Sequence, residues 1–153
     1  MAVLNLNQYP VVPSDVFGSE VNTDVGYGRE SFTITTAAKI AVGEVLVADY
    51  AAKTAVRVGA LADAAAVADL GDLVIFVGRD LTNNPATYQD FDRLTMDVTG
   101  VGVAITRGDG RGTLYKKHLM FGGVAFYDLP AVVQAALVAK FTTENRFKVL
   151  DQV

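Results

Sequence analysis

Cysteine and tryptophan are absent and histidine occurs once, and each shortage removes a class of function. Without cysteine there is no disulfide framework, no thiolate nucleophile and no thiolate metal site. Basic residues are outnumbered: 13 Lys and Arg stand against 17 Asp and Glu, a net charge of −4. Such a chain has no basic face to neutralise phosphates, which excludes nucleic acid as a partner. No stretch reaches the ~18 uncharged apolar residues of a membrane span. The opening MAVLNLNQYP has neither a positive n-region nor a sustained apolar h-region, so the chain reads as soluble and without an address.

What is present suits one domain: 153 residues, enough for a buried core. The chain is 51% hydrophobic and 20% charged, and the apolar surplus is Ala and Val, small side chains suited to close packing between sheets or subunits. The organising stretch is Phe32 to Asp49, FTITTAAKIAVGEVLVAD. Phe32 and Ile34 alternate with Ser31, Thr33 and Thr35, and the pattern resumes at Ile40, Val42 and Val45-Leu46-Val47, predicting two short strands around a bend.

Before it, residues 1–28 carry Pro10 and Pro13 and scattered glycines with no repeating pattern, which predicts an extended arm rather than a helix. The arm's spaced hydrophobes, among them Tyr9, Val11, Val12, Phe17 and Tyr27, suit strand addition to a partner's sheet edge. After it, Val56 and Val58 read as a hairpin's return strand, and Leu61 to Leu70 as a short helix or loop capped by Asp63. Leu73 to Val77, LVIFV, has the signature of a strand buried on both faces. Further alternation follows at Leu94 to Val98 and Val101 to Ile105, with Gly108 to Gly112 as a hairpin tip and Gly122-Gly123 as a bulge or close approach. Asp128 is the predicted cap of a helix over about 129–141, striped by Leu129, Val133, Ala136, Leu137 and Phe141, and Phe147 to Val149 returns to the sheet.

Candidates for chemistry are few. His118 lies beside Lys116 and Lys117, cations that do not prepare a general base, and no serine or acid assembles with it into a nucleophilic site. Asp90 and Asp92 start like a calcium loop, but Leu94 occupies the next ligand position. The glycine clusters lack the lysine of a phosphate loop and the spacing of a dinucleotide fingerprint. Arg107-Gly108-Asp109 spells an adhesion tripeptide, yet glycine and aspartate are what a tip requires anyway. Asp49, Asp69, Asp72, Asp80 and Asp97 fall at predicted strand ends, where charge usually meets solvent. The expectation is a protein with no catalytic, cofactor-binding or metal residues.

The order of ITTAAKIAVGEVLVADYAAKTAVRV, LVIFVGRD, VGVAITRG and FGGVAFYDLPAVVQAALVAKFTTENRFKVL resembles the head decoration proteins of tailed bacteriophages, the group that includes the lambda-type capsid cement protein. In that group a strand of the form found at Ala41 to Leu46 leads the domain, and a strand, a proline-opened helix and a last short strand recur near the C-terminus. The resemblance covers about Phe32 to Leu150, and this chain is longer through its arm and the Asp80 to Asp92 loop. It implies a mainly β fold, a compact β-barrel or β-tulip-like domain over residues 29–153 with the one helix and the N-terminal arm over 1–28. It further implies a virion protein, made in the host cytoplasm, on the outer surface of the capsid. There it clamps neighbouring subunits of the phage major capsid protein, commonly as a homotrimer, with Tyr9, Val11, Val12, Phe17 and Tyr27 as the expected capsid-binding residues of the arm. The alternatives are a tail or spike component, or a small binding module or carbohydrate-acting enzyme, the last disfavoured by the lack of tryptophan.

Overall fold

The computed structural model describes residues 11–19, 28–35, 39–80, 94–96 and 99–151. A single helical turn, α1 (Pro13–Val16), runs into β1 (Phe17–Ser19). Then come β2 (Arg29–Thr35), β3 (Ile40–Ala41), β4 (Val45–Asp49), β5 (Thr54–Arg57), α2 (Ala64–Ala68) and β6 (Asp72–Arg79). The remainder is β7 (Thr95–Met96), β8 (Gly100–Ile105), β9 (Thr113–Tyr115), the hairpin β10 (Met120–Phe121) and β11 (Val124–Ala125), α3 (Ala131–Thr143) and β12 (Lys148–Leu150).

The fold is mainly β, with one long helix in its C-terminal part. Strands β2, β5, β4, β6 and β8 close into a barrel in that order. Within the barrel only the β2–β5 pair is parallel, with Ile34 opposite Ala55, and closure leaves no exposed edge in this sheet. A five-stranded barrel has room for side chains only. Phe32, Ile34, Leu46, Ala48, Ala55, Val74, Phe76 and Ala104 fill it, with Ile40 and Met96 in the same cluster. Space is so short that a Cβ on Gly102 would lie 2.5 Å from Ile34 Cδ1 and 2.9 Å from Phe76 Cε2.

The outward residues of the same strands make a second core. Val45, Leu73, Ile75, Val77 and Ile105 pack with Val16, Phe17, Leu114, Val133, Leu137, Phe141 and Phe147. This is why five consecutive residues of LVIFV are buried: one face looks into the barrel and the other is covered by α3 and a small sheet. On β2 only the inner face is covered, so Ser31, Thr33 and Thr35 stay exposed. Both patterns agree with the sequence reading.

Several expectations are corrected. The covering sheet has the order β1-β9-β12, so Gly108 to Gly112 is not a hairpin tip. It leads from the barrel to this second sheet, and its amides at Gly108 and Gly110 donate to Asn145 O and Arg146 O. The chain's last strand pairs with β9 and not with the barrel. Helix α3 starts at Ala131, because the residue before a proline is held extended: Leu129 has ψ 154° and Pro130 becomes the N-cap, while Asp128 belongs to a 3-10 turn. The stripe is as expected, with Val133, Leu137 and Phe141 fully buried. Asp63 does cap α2, accepting from the Ala66 amide at 2.9 Å.

The largest correction concerns the arm. Over residues 11–19 it is part of the folded domain: Val16 is 0% and Phe17 5% exposed, and Phe17 pairs with Leu114 across β1–β9. A turn opened by Pro13 and a three-residue strand carry too little periodicity to stand out in a sequence. Residues 1–10 and 20–27 lie outside the described residues.

Candidate functional site

Of the five residues expected to bind a capsid, Tyr9 and Tyr27 lie outside the described residues. Val11 and Val12 are half-buried against the outer core. Phe17 stacks on Phe147 with ring centroids 5.9 Å apart, so its side chain is committed to its own domain. The structure thus brings Val11, Val12 and Phe17 together, but on the core and not on a free arm. His118 contributes its carbonyl: a Cβ on Gly43, at φ +99°, would lie 2.4 Å from His118 O, so this approach requires glycine. In the adhesion-like tripeptide, Arg107 Nε faces Asp109 Oδ2 across 4.0 Å. Its two charges are turned on each other and not presented separately.

The sequence expectation of solvated acids fails at Asp80 and holds at Asp72, which is exposed. Asp80 is buried and accepts from Ser31 Oγ at 2.8 Å. Asp72 lies on the rim of a cavity of about 380 Å³ at one mouth of the barrel. That cavity is assembled from five chain segments: Glu30 on β2, Tyr50 after β4, Asp72 and Leu73 on β6, Thr106 and Arg107 after β8, and Glu144 and Asn145 after α3. The Asn145 amide donates to Leu73 O at 2.8 Å and to Thr106 O at 2.9 Å, tying the end of α3 to two barrel strands. Its Oδ1 is a buried acceptor with no hydrogen-bond partner among the described residues. Burial, and then the negative charges of Glu30 and Asp72, push the Tyr50 phenol above its ordinary value. No signal in the linear sequence joins these seven polar positions, because they are neighbours only through barrel closure.

A second polar feature was equally invisible. Glu44 is 3% exposed and accepts from Arg57 Nε at 2.8 Å and from the Gly122 backbone amide. Gly122, at φ +60°, turns the β10–β11 hairpin so closely over the barrel that a Cβ there would fall 2.3 Å from Val58 O. The close approach expected at Gly122-Gly123 is therefore real, and Glu44 is the anchor it closes on.

Burial raises the Glu44 pKa, outweighing the Arg57 hydrogen bond and charge and the Gly122 amide. A carboxyl whose folded pKa lies above its unfolded value binds its proton more tightly when folded. Its contribution to stability is complete below the ordinary 4.5 and is lost as pH rises through the folded value. Glu44→Gln is expected to remove this dependence. The difference in pH slope between variant and native protein is bounded by one proton, about 1.4 kcal/mol per pH unit. Denaturant titrations from acid to neutral pH measure it, and superimposable slopes would contradict the assignment.

No family model matches the chain, and neither the curated proteins nor the solved structures contain a significant match. Among the described residues no group of three or more His, Cys, Asp or Glu is placed to hold a metal ion. No helix there is long and apolar enough to cross a membrane.

Proposed function

We propose that this chain is a structural virion protein that binds the outer surface of a mature phage head and stabilises it by clamping neighbouring major capsid protein subunits. The observation that carries the reading is the order of the four stretches that resemble head decoration proteins. Three of them supply most of the barrel: ITTAAKIAVGEVLVADYAAKTAVRV starts in the last two residues of β2 and goes on through β4 and β5, LVIFVGRD makes up most of β6 and VGVAITRG most of β8. The fourth carries the β10–β11 hairpin, α3 and β12. A small barrel filled on the inside and braced on one outer wall suits a mechanical role, since close-packed interiors transmit load with little compression. As a homotrimer on local three-fold positions, three weak capsid contacts would act as one tight contact.

Phe17 drops out of the capsid contact in this reading, being core, and Tyr9 ahead of Val11 is the expected anchor. The test is co-sedimentation of the purified protein with expanded, emptied phage heads lacking their own decoration protein. Saturable binding that raises the temperature at which the heads rupture is the expected result. Sedimentation no greater than that of an unrelated acidic protein would overturn the proposal.

A further inference from the structure

One end of the barrel carries its charges in two separate groups, a segregation concealed by the overall charge of −4. On the acidic side, Asp72 opens β6 opposite Ala48, the neighbour of Asp49, and Asp69 precedes it by three residues. All three carboxylates are exposed, and among the described residues none of them pairs with a cation. The other acids there are already neutralised, Glu30 by Lys53 Nζ at 3.4 Å and Glu144 by Lys140 Nζ at 2.6 Å. On the basic side, the Gly110 amide donates to Arg146 O and the Lys148 amide to Gly112 O, tying the 108–112 connection to the segment that follows α3. These bonds gather Arg111, Arg146 and Lys148, all exposed, while Arg107 faces Asp109. Arg146 and Lys148 pair with no carboxylate among the described residues. The two groups adjoin, because the side-chain amide of Asn145, next to Arg146, donates to the carbonyl of Leu73, next to Asp72.

We propose that this end of the barrel docks on the same end of a second copy of the chain, related by a two-fold axis that sets the acidic side of each copy on the basic side of the other. A two-fold contact joins a surface to itself, so it requires charges of opposite sign on the two sides of the axis. Three carboxylates beside three cations meet that requirement. A polyanion or a uniformly acidic protein would be repelled by Asp49, Asp69 and Asp72, and a uniformly basic one by Arg111, Arg146 and Lys148. A rotated copy is complementary on both sides at once. Exposed ion pairs contribute little singly and are screened by salt, so the contact is a weak one that forms at high protein concentration. It joins free copies and is independent of capsid binding, and the two readings stand or fall separately.

The test is sedimentation equilibrium of the full chain at millimolar concentration, at low ionic strength and again in about 0.5 M salt. A monomer–dimer equilibrium is expected at low ionic strength, weakened about tenfold or more by the salt. Arg146→Glu combined with Lys148→Glu reverses the basic side, and Asp69→Lys combined with Asp72→Lys reverses the acidic side. All four positions are exposed, so both variants are expected to keep the native circular dichroism spectrum. Each variant by itself is expected to stay monomeric, because like charges then face each other across the axis, and an equimolar mixture of the two is expected to form a heterodimer. A native chain that stays monomeric at low ionic strength, association that strengthens with salt, an oligomer other than a dimer, or a mixture of the two folded variants that does not associate would each overturn the assignment.

Discussion

A chain lacking residues 1–28 is expected to lose most of its folding stability, because the deleted segment contributes two core side chains. Val16 and Phe17 are 0% and 5% exposed. Full burial of such side chains is worth about 1.5–3 kcal/mol each, so their removal alone costs roughly 3–6 kcal/mol. The loss of the β1–β9 pairing uncovers Leu114 in addition, which is fully buried opposite Phe17. Against a typical domain stability of about 5–15 kcal/mol, this removes a large part of the margin. A matched chain beginning at Val11 keeps both side chains and serves as the comparison. Denaturant midpoints measure the effect, and an unchanged midpoint for the chain starting at Arg29 would show that the outer core closes without the segment.

Leu137→Ala is expected to cost about 2–5 kcal/mol, the range for deleting a large aliphatic side chain from a packed core. Leu137 is 0% exposed, and so are Val133 and Phe141, one turn to either side on the same face of α3. The cavity left behind is bounded by barrel strands on one side and the helix backbone on the other. Neither can move in without breaking paired hydrogen bonds, which places the cost toward the upper part of the range. Val132→Ala, on the same helix but at 59% exposure, is expected to change stability by less than about 0.5 kcal/mol. Equal thermal shifts for the two variants would mean that α3 is peripheral to the fold.

Much of the architecture was legible wherever burial is decided by a strand or helix period. The alternation of Phe32 and Ile34, the unbroken run from Leu73 to Val77 and the stripe of Val133, Leu137 and Phe141 each name their buried faces correctly. The Asp63 cap was legible for the same reason, since its partner lies three residues away on the chain. The start of α3 was misplaced because Asp128 resembles a cap while the constraint Pro130 puts on Leu129 is stronger.

By itself the sequence determined what the chain is made of and which local segments are strands or helix: a mainly β domain with one long helix, no cysteine and a net charge of −4. Only the tertiary structure decided the partners of those segments. Which strands pair, that β2 and β5 run parallel, and that residues 11–19 belong to the core depend on contacts between residues far apart in sequence. The same holds for the site. Glu44 and Arg57 meet 13 residues apart, and Asn145 reaches Leu73 across 72. Local propensity acts within a few residues, whereas the charge and burial of a cavity are sums over all the segments that barrel closure brings together.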